Sequence, residues 1–274
     1  MTIPSIKVIS KITFVKQINF EGLWDRLLAQ GRGSITSDQI RDETGAASEA
    51  VRAATANAIR KGLLFSPTKG LYVPVPPRYR SWGVVPADHF IDAMMRHLGC
   101  GYYIGFLSAA AHWGSAHQAV QEYQVVVDRH VLDRDLERVR LRFHQTRRIE
   151  ERGTVRVSGG EAMLTVASPS QCAVDLVETP AWGGGLSNVA TVLAELPDLD
   201  GRQLAKLAAG RAMPVVQRLG WLLDHIDADV DLGPLEVLAR SRNRSALLDP
   251  RRPRRGDRDD RWGVIVNTGL ESFA

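Results

Sequence analysis

Between residues 20 and 73 three short helical patterns and a hairpin follow one another with very little connecting chain, and glycines mark the junctions. Apolar residues recur at Phe20, Leu23, Trp24, Leu27 and Leu28, a helical spacing that stops at Gly31 and Gly33. Thr36 with Gln39 three residues on reads as a capping box, which opens a second helix through Ile40 that ends at Gly45. Ser48 is expected to cap a third helix, SEAVRAATANAIRKG, closed by Gly62. LLF and LYV then flank the turn SPTKG, two short strands around Pro67 and Gly70. Three helices followed at once by a small hairpin predict a winged helix-turn-helix.

The third helix carries the functional expectation. At about 100° per residue, Val51, Ala54, Ala58 and Ile59 share one face. Glu49, Ala53, Ala56, Asn57 and Arg60 fall opposite, with Arg52 on the flank. That outer face is short, polar and basic, as entry into a major groove requires. Asn57 has the amide geometry for adenine, and Arg52 or Arg60 for bidentate contact with guanine. Ser34, Thr36 and Ser48 sit beside predicted helix N-termini and suit phosphate oxygens. Lys61 and Lys69 suit backbone or minor-groove contacts from the wing. Glu49 suits a cytosine amine or a role in rejecting wrong phosphate registers.

Charge supports this division. The whole chain of 274 residues carries a formal charge of only +4. Residues 1–80 hold 12 basic and 6 acidic side chains, and residues 81–274 hold 23 and 25. A basic head on a near-neutral body fits a polyanion-binding module joined to something else. The join is PVPPRYRSWGVVP (74–86), whose four prolines predict an extended spacer. The expected domains are therefore 1–80, with 1–18 as an N-terminal extension, and 81–274.

The body reads as α+β. A helix fits ADHFIDAMMRHLG and another SAAAHW after an apolar run at 102–107. The period then changes to two in EYQVVVD, VRLRFHQ, TVRVSG and EAMLTVAS, the last two joined near Gly159-Gly160. Arg140, Arg142 and His144 alternate with Val139, Leu141 and Phe143, which predicts a sheet with one wet, basic face. Helices return in SQCAVDLVETP, LSNVATVLAELP, DGRQLAKLAAGR and PVVQRLGWLLDHI, and a terminal strand is expected at 262–266.

Several chemistries are excluded. No stretch approaches the roughly 18–20 continuous apolar residues of a membrane span, and Lys7, Lys11 and Lys16 break any signal-peptide core. Cys100 and Cys172 lie in apolar stretches and are expected as buried, reduced thiols of a cytoplasmic protein. His112 and His117 are five apart, which misses the one-face spacing of a zinc helix. Asp128-Arg129-His130 ends a strand with no second carboxylate and lysine at nuclease-like spacing, and Gly183-Gly184-Gly185 reads as a turn. The sequence therefore predicts no catalytic residue, no metal and no cofactor. A second basic surface is expected in the run from Arg240 to Arg261, which holds nine Arg against four Asp; its centre is Arg251, Arg252, Arg254, Arg255 and Arg258. It reads equally well as a contact surface for nucleic acid or an acidic protein and as a solvated loop whose charges pair internally.

The head resembles that of the AbiEi-family antitoxins of type IV toxin–antitoxin systems. So do four phrases of the body: YYIGFLSAAAHWG (102–114), SPSQCAVDL (168–176), QRLGWLL (217–223), and LDP (248–250) with WGVIVN (262–267). The resemblance implies a bacterial antitoxin whose winged helix binds operator repeats in its own promoter, as a monomer or weak dimer, and represses its operon. It also implies a body that opposes a toxin resembling a nucleotidyltransferase. Ala53 and Ala56 leave the third helix sparse in base-reading side chains. From the residues alone, a winged-helix-targeted nuclease using Asp128 and a ligand-sensing transcription factor remain open alternatives.

Overall fold

A computed structural model describes residues 20–116, 121–159, 162–241 and 243–270. The extension predicted at 1–18, together with His117, Gly160 and Arg242, lies outside the described residues. The head comprises Phe20–Ala29 (α1), Ile35–Thr36 (β1), Ser37–Thr44 (α2), Ser48–Arg60 (α3), Leu64–Thr68 (β2) and Leu71–Pro74 (β3). The strands form an antiparallel sheet in the order β1-β3-β2. Leu23, Trp24 and Leu27 of α1 pack with Ile35, Ile40, Val51, Ala58 and Leu64 into a core of their own.

The capping box forms as the spacing predicts. Thr36 Oγ accepts from Gln39 N, Gln39 Oε1 accepts from Thr36 N, and α2 ends on Gly45 in the left-handed region. Two details of α3 differ. Ala47 occupies the N-cap position without a side-chain bond, and Ser48 is the first helical residue, its hydroxyl accepting from Arg41. Thr55 is buried where Ile59 was expected, and Ile59 is exposed. Thr55 lies 40° from Val51 around the helix, nearer the centre of the packed face than Ile59 at 80°. Its hydroxyl donates to the Val51 carbonyl one turn back, which removes the cost of burying it.

The proline-rich join is folded rather than a spacer. Val75, Val84 and Val85 are buried, and Phe65 of β2 meets Phe90 edge-on at 5.2 Å between ring centres. Phe65, Leu71 and Val73 thus belong to the body's core, and the hairpin has one face on each side of the join. Nor is the stretch extended as expected: Pro77 opens a 3-10 turn, Pro77–Tyr79, and the chain turns again through Gly83, so that Val75 before the turn and Val84 and Val85 after it point inward.

Beyond the join come Ile91–His97 (α4), Tyr102–Ile104 (β4), Phe106–His112 (α5), Tyr123–Val127 (β5), Arg134–Leu136 (β6), Val139–Gln145 (β7), Thr154–Ser158 (β8) and Met163–Ala167 (β9). The six strands form one mixed sheet, β6-β7-β5-β4-β9-β8. β4 sits near its middle, antiparallel to β5 and parallel to β9. Helices Pro169–Glu178 (α6), Leu186–Glu195 (α7), Gly201–Ala209 (α8), Met213–His225 (α9) and Gly233–Ala239 (α10) follow. Ala246–Leu247 (β10), Asp257–Asp259 (β11) and Val264–Val266 (β12) make a last small sheet, β10-β12-β11. The architecture is α+β. α9 supports the last sheet through Gly220, where an added Cβ would lie 2.1 Å from the fully buried Trp262 ring.

The expected wet, basic sheet face is present only at Arg140, which is exposed. Arg142 is only 21% exposed and pairs with Glu122 at 3.0 Å and Asp135 at 2.9 Å. The His144 ring lies against Phe106 and Trp182, and burial lowers its pKa below the ordinary imidazole value. The alternation is genuine, but the aromatic rings of Phe106 and Trp182 cover this end of β7.

Candidate nucleic-acid interface

The exposed stripe of α3 holds Glu49, Arg52, Ala53, Ala56, Asn57 and Arg60, with Lys61 just beyond its end. Arg52 approaches a carboxylate only loosely, Glu49 at 3.8 Å, and both side chains are more than 70% exposed. Arg60 donates to the Asn57 side-chain oxygen at 3.3 Å, so these two present a joined donor surface. Ala53 and Ala56 leave the helix backbone low between them, which permits close approach to a groove floor. Ser34 and Thr36 are half-buried at the entry to α2 and Ser48 is exposed at the start of α3. Thr36's oxygen lone pair is taken up by its cap, which leaves its hydroxyl proton to donate. Lys69 is exposed at the hairpin tip, whose position is fixed because His97 Nε2 of α4 donates to the Lys69 carbonyl at 3.0 Å.

The Arg-rich run is divided by its carboxylates. Asp249 takes Arg251 at 3.3 Å and Arg252 at 3.7 Å, and Asp260 takes Arg258 at 2.9 Å. Arg261 bridges Asp224 and Glu236, and Arg240 also reaches Glu236. Arg244, Arg254 and Arg255 make no ion pair among the described residues. Of the five arginines expected to centre this surface, Arg251, Arg252 and Arg258 therefore have internal partners. Arg240 and Arg244, not among the five, line a cleft with Arg254 and Arg258. Their convergence depends on the fold of the last sheet, which spacing does not reveal.

Charge elsewhere in the body is structural. Asp175 of α6 is buried and accepts from Tyr103 at 2.9 Å, Gln171 at 2.7 Å and Arg152 at 3.2 Å. Burial pushes its carboxyl up to about 6 against the opposing pull of Arg152 and the hydrogen bonds. Glu178 joins this group through Arg152 and Arg211. Asp128, the alternative nuclease ligand, accepts from the Gly101 amide, the Cys100 thiol and Arg129. The Arg129 hydrogen bond leads in holding its carboxyl below the ordinary value. Its oxygens are engaged in fastening the start of β4 to the end of β5. Cys100 and Cys172 are buried free thiols, as expected. Gly183 to Gly185 form the turn into α7, with Gly184 left-handed. No described helix is long and apolar enough to cross a membrane.

The fold and these surfaces define a class: an α+β protein with a compact basic head whose helix face is exposed, and a larger body stabilised from within. Residues 103–225 match the family model of the AbiEi antitoxin C-terminal domain. That segment runs from within β4 through α9 and is similar to the AbiEi antitoxin C-terminal domain, as the body's residue phrases implied; it supports an antitoxin role in a toxin–antitoxin system. The fold is also similar to the crystal structure of the RV2827C protein from Mycobacterium tuberculosis, with a TM-score of 0.65 and 16% identity over 89% of each chain. No curated protein matches the chain significantly.

Proposed function

We propose that the chain is a DNA-binding autorepressor and antitoxin, with residues 1–80 as a winged helix-turn-helix and 81–274 as the antitoxin domain. In this reading α3 is the recognition helix and the β2–β3 hairpin is the wing. The exposed α3 face carries the proposal: three cationic side chains and one amide flank a floor of alanines, on a helix whose other face is packed into the head's core. Arg52, Asn57 and Arg60 read base edges, Ser34, Thr36, Ser48, Lys61 and Lys69 hold phosphates, and Glu49 screens register. The double-stranded partner is the chain's own promoter, and the functional partner is a nucleotidyltransferase-like toxin of a type IV system.

The DNA reading is tested by titrating promoter DNA into the full chain at several salt concentrations. Expected is binding to repeats whose log affinity falls linearly with log salt, as neutralised phosphates release counterions. Equal affinity for promoter and random duplex would remove the autorepressor reading. The antitoxin reading is tested separately by co-expression with the neighbouring toxin gene, where rescue of growth is expected and persistent toxicity would overturn it.

A further inference from the structure

The Arg-lined cleft beside the last sheet is a second site, distinct from the α3 face. Arg240 closes α10, Asn243, Arg244 and Ser245 lead into β10, Arg254 lies in the turn before β11, and Arg258 lies on β11. Together they line an open cleft of about 570 Å³, within the size range of ligand sites. Neither a carboxylate nor an aromatic ring lines it. Like charges brought together repel unless something holds them or an anion joins them. Here the scaffold holds them. The buried Gln217 amide of α9 donates to the Arg244 carbonyl at 3.0 Å, and the Asn267 amide donates to the Asp249, Arg252 and Pro253 carbonyls. Of the four cleft arginines, Arg240 is paired with Glu236 and Arg258 with Asp260, while the nearby Asp249 is drawn to Arg251 and Arg252 and Asp224 to Arg261. Arg244 and Arg254 thus face the cleft with no ion-pair partner among the described residues.

We infer that this cleft binds a run of closely spaced phosphate groups and reads no base. Guanidinium forks match phosphate oxygens bidentately, and the mainly polar wall offers no aromatic ring as a platform for a base. The site is independent of the α3 reading. Two sources present such phosphates: a nucleic-acid backbone, or a soluble oligophosphate.

The test is isothermal titration of the full chain with inorganic tripolyphosphate at low salt. Wild type should bind one equivalent saturably. Arg244→Gln with Arg254→Gln should weaken binding at least tenfold, since both side chains are exposed and Arg244's structural bond is made by its carbonyl. Arg251→Gln with Arg252→Gln removes the same charge from arginines already paired to Asp249, and should leave affinity within about twofold. Arg52→Ala with Arg60→Ala should also leave it unchanged, which separates this site from the head. Displacement of tripolyphosphate by random-sequence duplex identifies the source as nucleic-acid backbone, and its absence identifies a soluble oligophosphate. The inference is overturned if wild type shows no saturable binding, or if the two glutamine pairs lose affinity equally.

Discussion

The α3 face of the head and the α6 cluster of the body place their charges in opposite ways. On α3 the charged groups point into solvent, and the weight of the fold rests on Leu23, Trp24, Leu27, Ile35 and Val51 beneath them. In the body, Asp175, Arg152 and Arg211 are inside, joined by Tyr103, Gln171 and Glu178, and they tie α6 to the sheet and to the segment after α8. Solvated charge remains available to a partner, whereas buried charge is committed to the fold. Substitutions in the two regions should therefore separate binding from stability.

The largest effect is expected at Asp175. Asp175→Ala removes the buried acceptor of Tyr103, Gln171 and Arg152, leaving Arg152 only the part-exposed Glu178, and should cost about 3–5 kcal/mol in denaturant unfolding, while the fraction still folded keeps its promoter affinity. A parallel loss of DNA affinity by that folded fraction would break the separation. On the head, Arg52→Ala alone should weaken promoter binding by about 1–3 kcal/mol with no shift in Tm. Gly220→Ala forces a methyl into the Trp262 ring and should destabilise by about 1–3 kcal/mol, read as a lower denaturation midpoint. Thr36→Ala removes the α2 cap and should cost about 1 kcal/mol of stability. It tests both regions' rules at once, since the same hydroxyl is assigned a phosphate.

Asp175 also has a pH signature. Its carboxyl titrates at about 6 in the folded chain against an ordinary value of 3.8, so the native state binds more protons between these values. The stability it contributes is present below about pH 4 and is lost as pH rises through about 6, with no further change above. Asp175→Asn should flatten that part of the Tm–pH curve. An unchanged slope would assign it to another group.

Local signals were legible wherever one short segment decides its own structure. Thr36 and Gln39 announce the α2 cap because both partners lie within one turn, and the period-two stretch VRLRFHQ marks β7 over its full length. What tertiary packing decides was not legible. β4 has three residues and too few positions to show a period, though it lies near the middle of the sheet. The sequence also passed over β6 and α10, of three and seven residues. The α3 face was readable to within one turn, and failed at Thr55 because a hydroxyl's ability to satisfy itself on the preceding turn does not appear in its polarity. The Arg-rich run shows the same limit for charge. Composition counts nine arginines, but only the fold shows that Asp249 and Asp260 take Arg251, Arg252 and Arg258 while Arg244 is left facing a cleft.

The claim that the head reads DNA through α3 is tested most directly by Arg52→Ala with Arg60→Ala, measured for promoter affinity and Tm on the same preparation. Affinity should fall by about 2–6 kcal/mol while Tm stays at the wild-type value. Wild-type affinity in the folded double variant would contradict the account and move the DNA contact off this face.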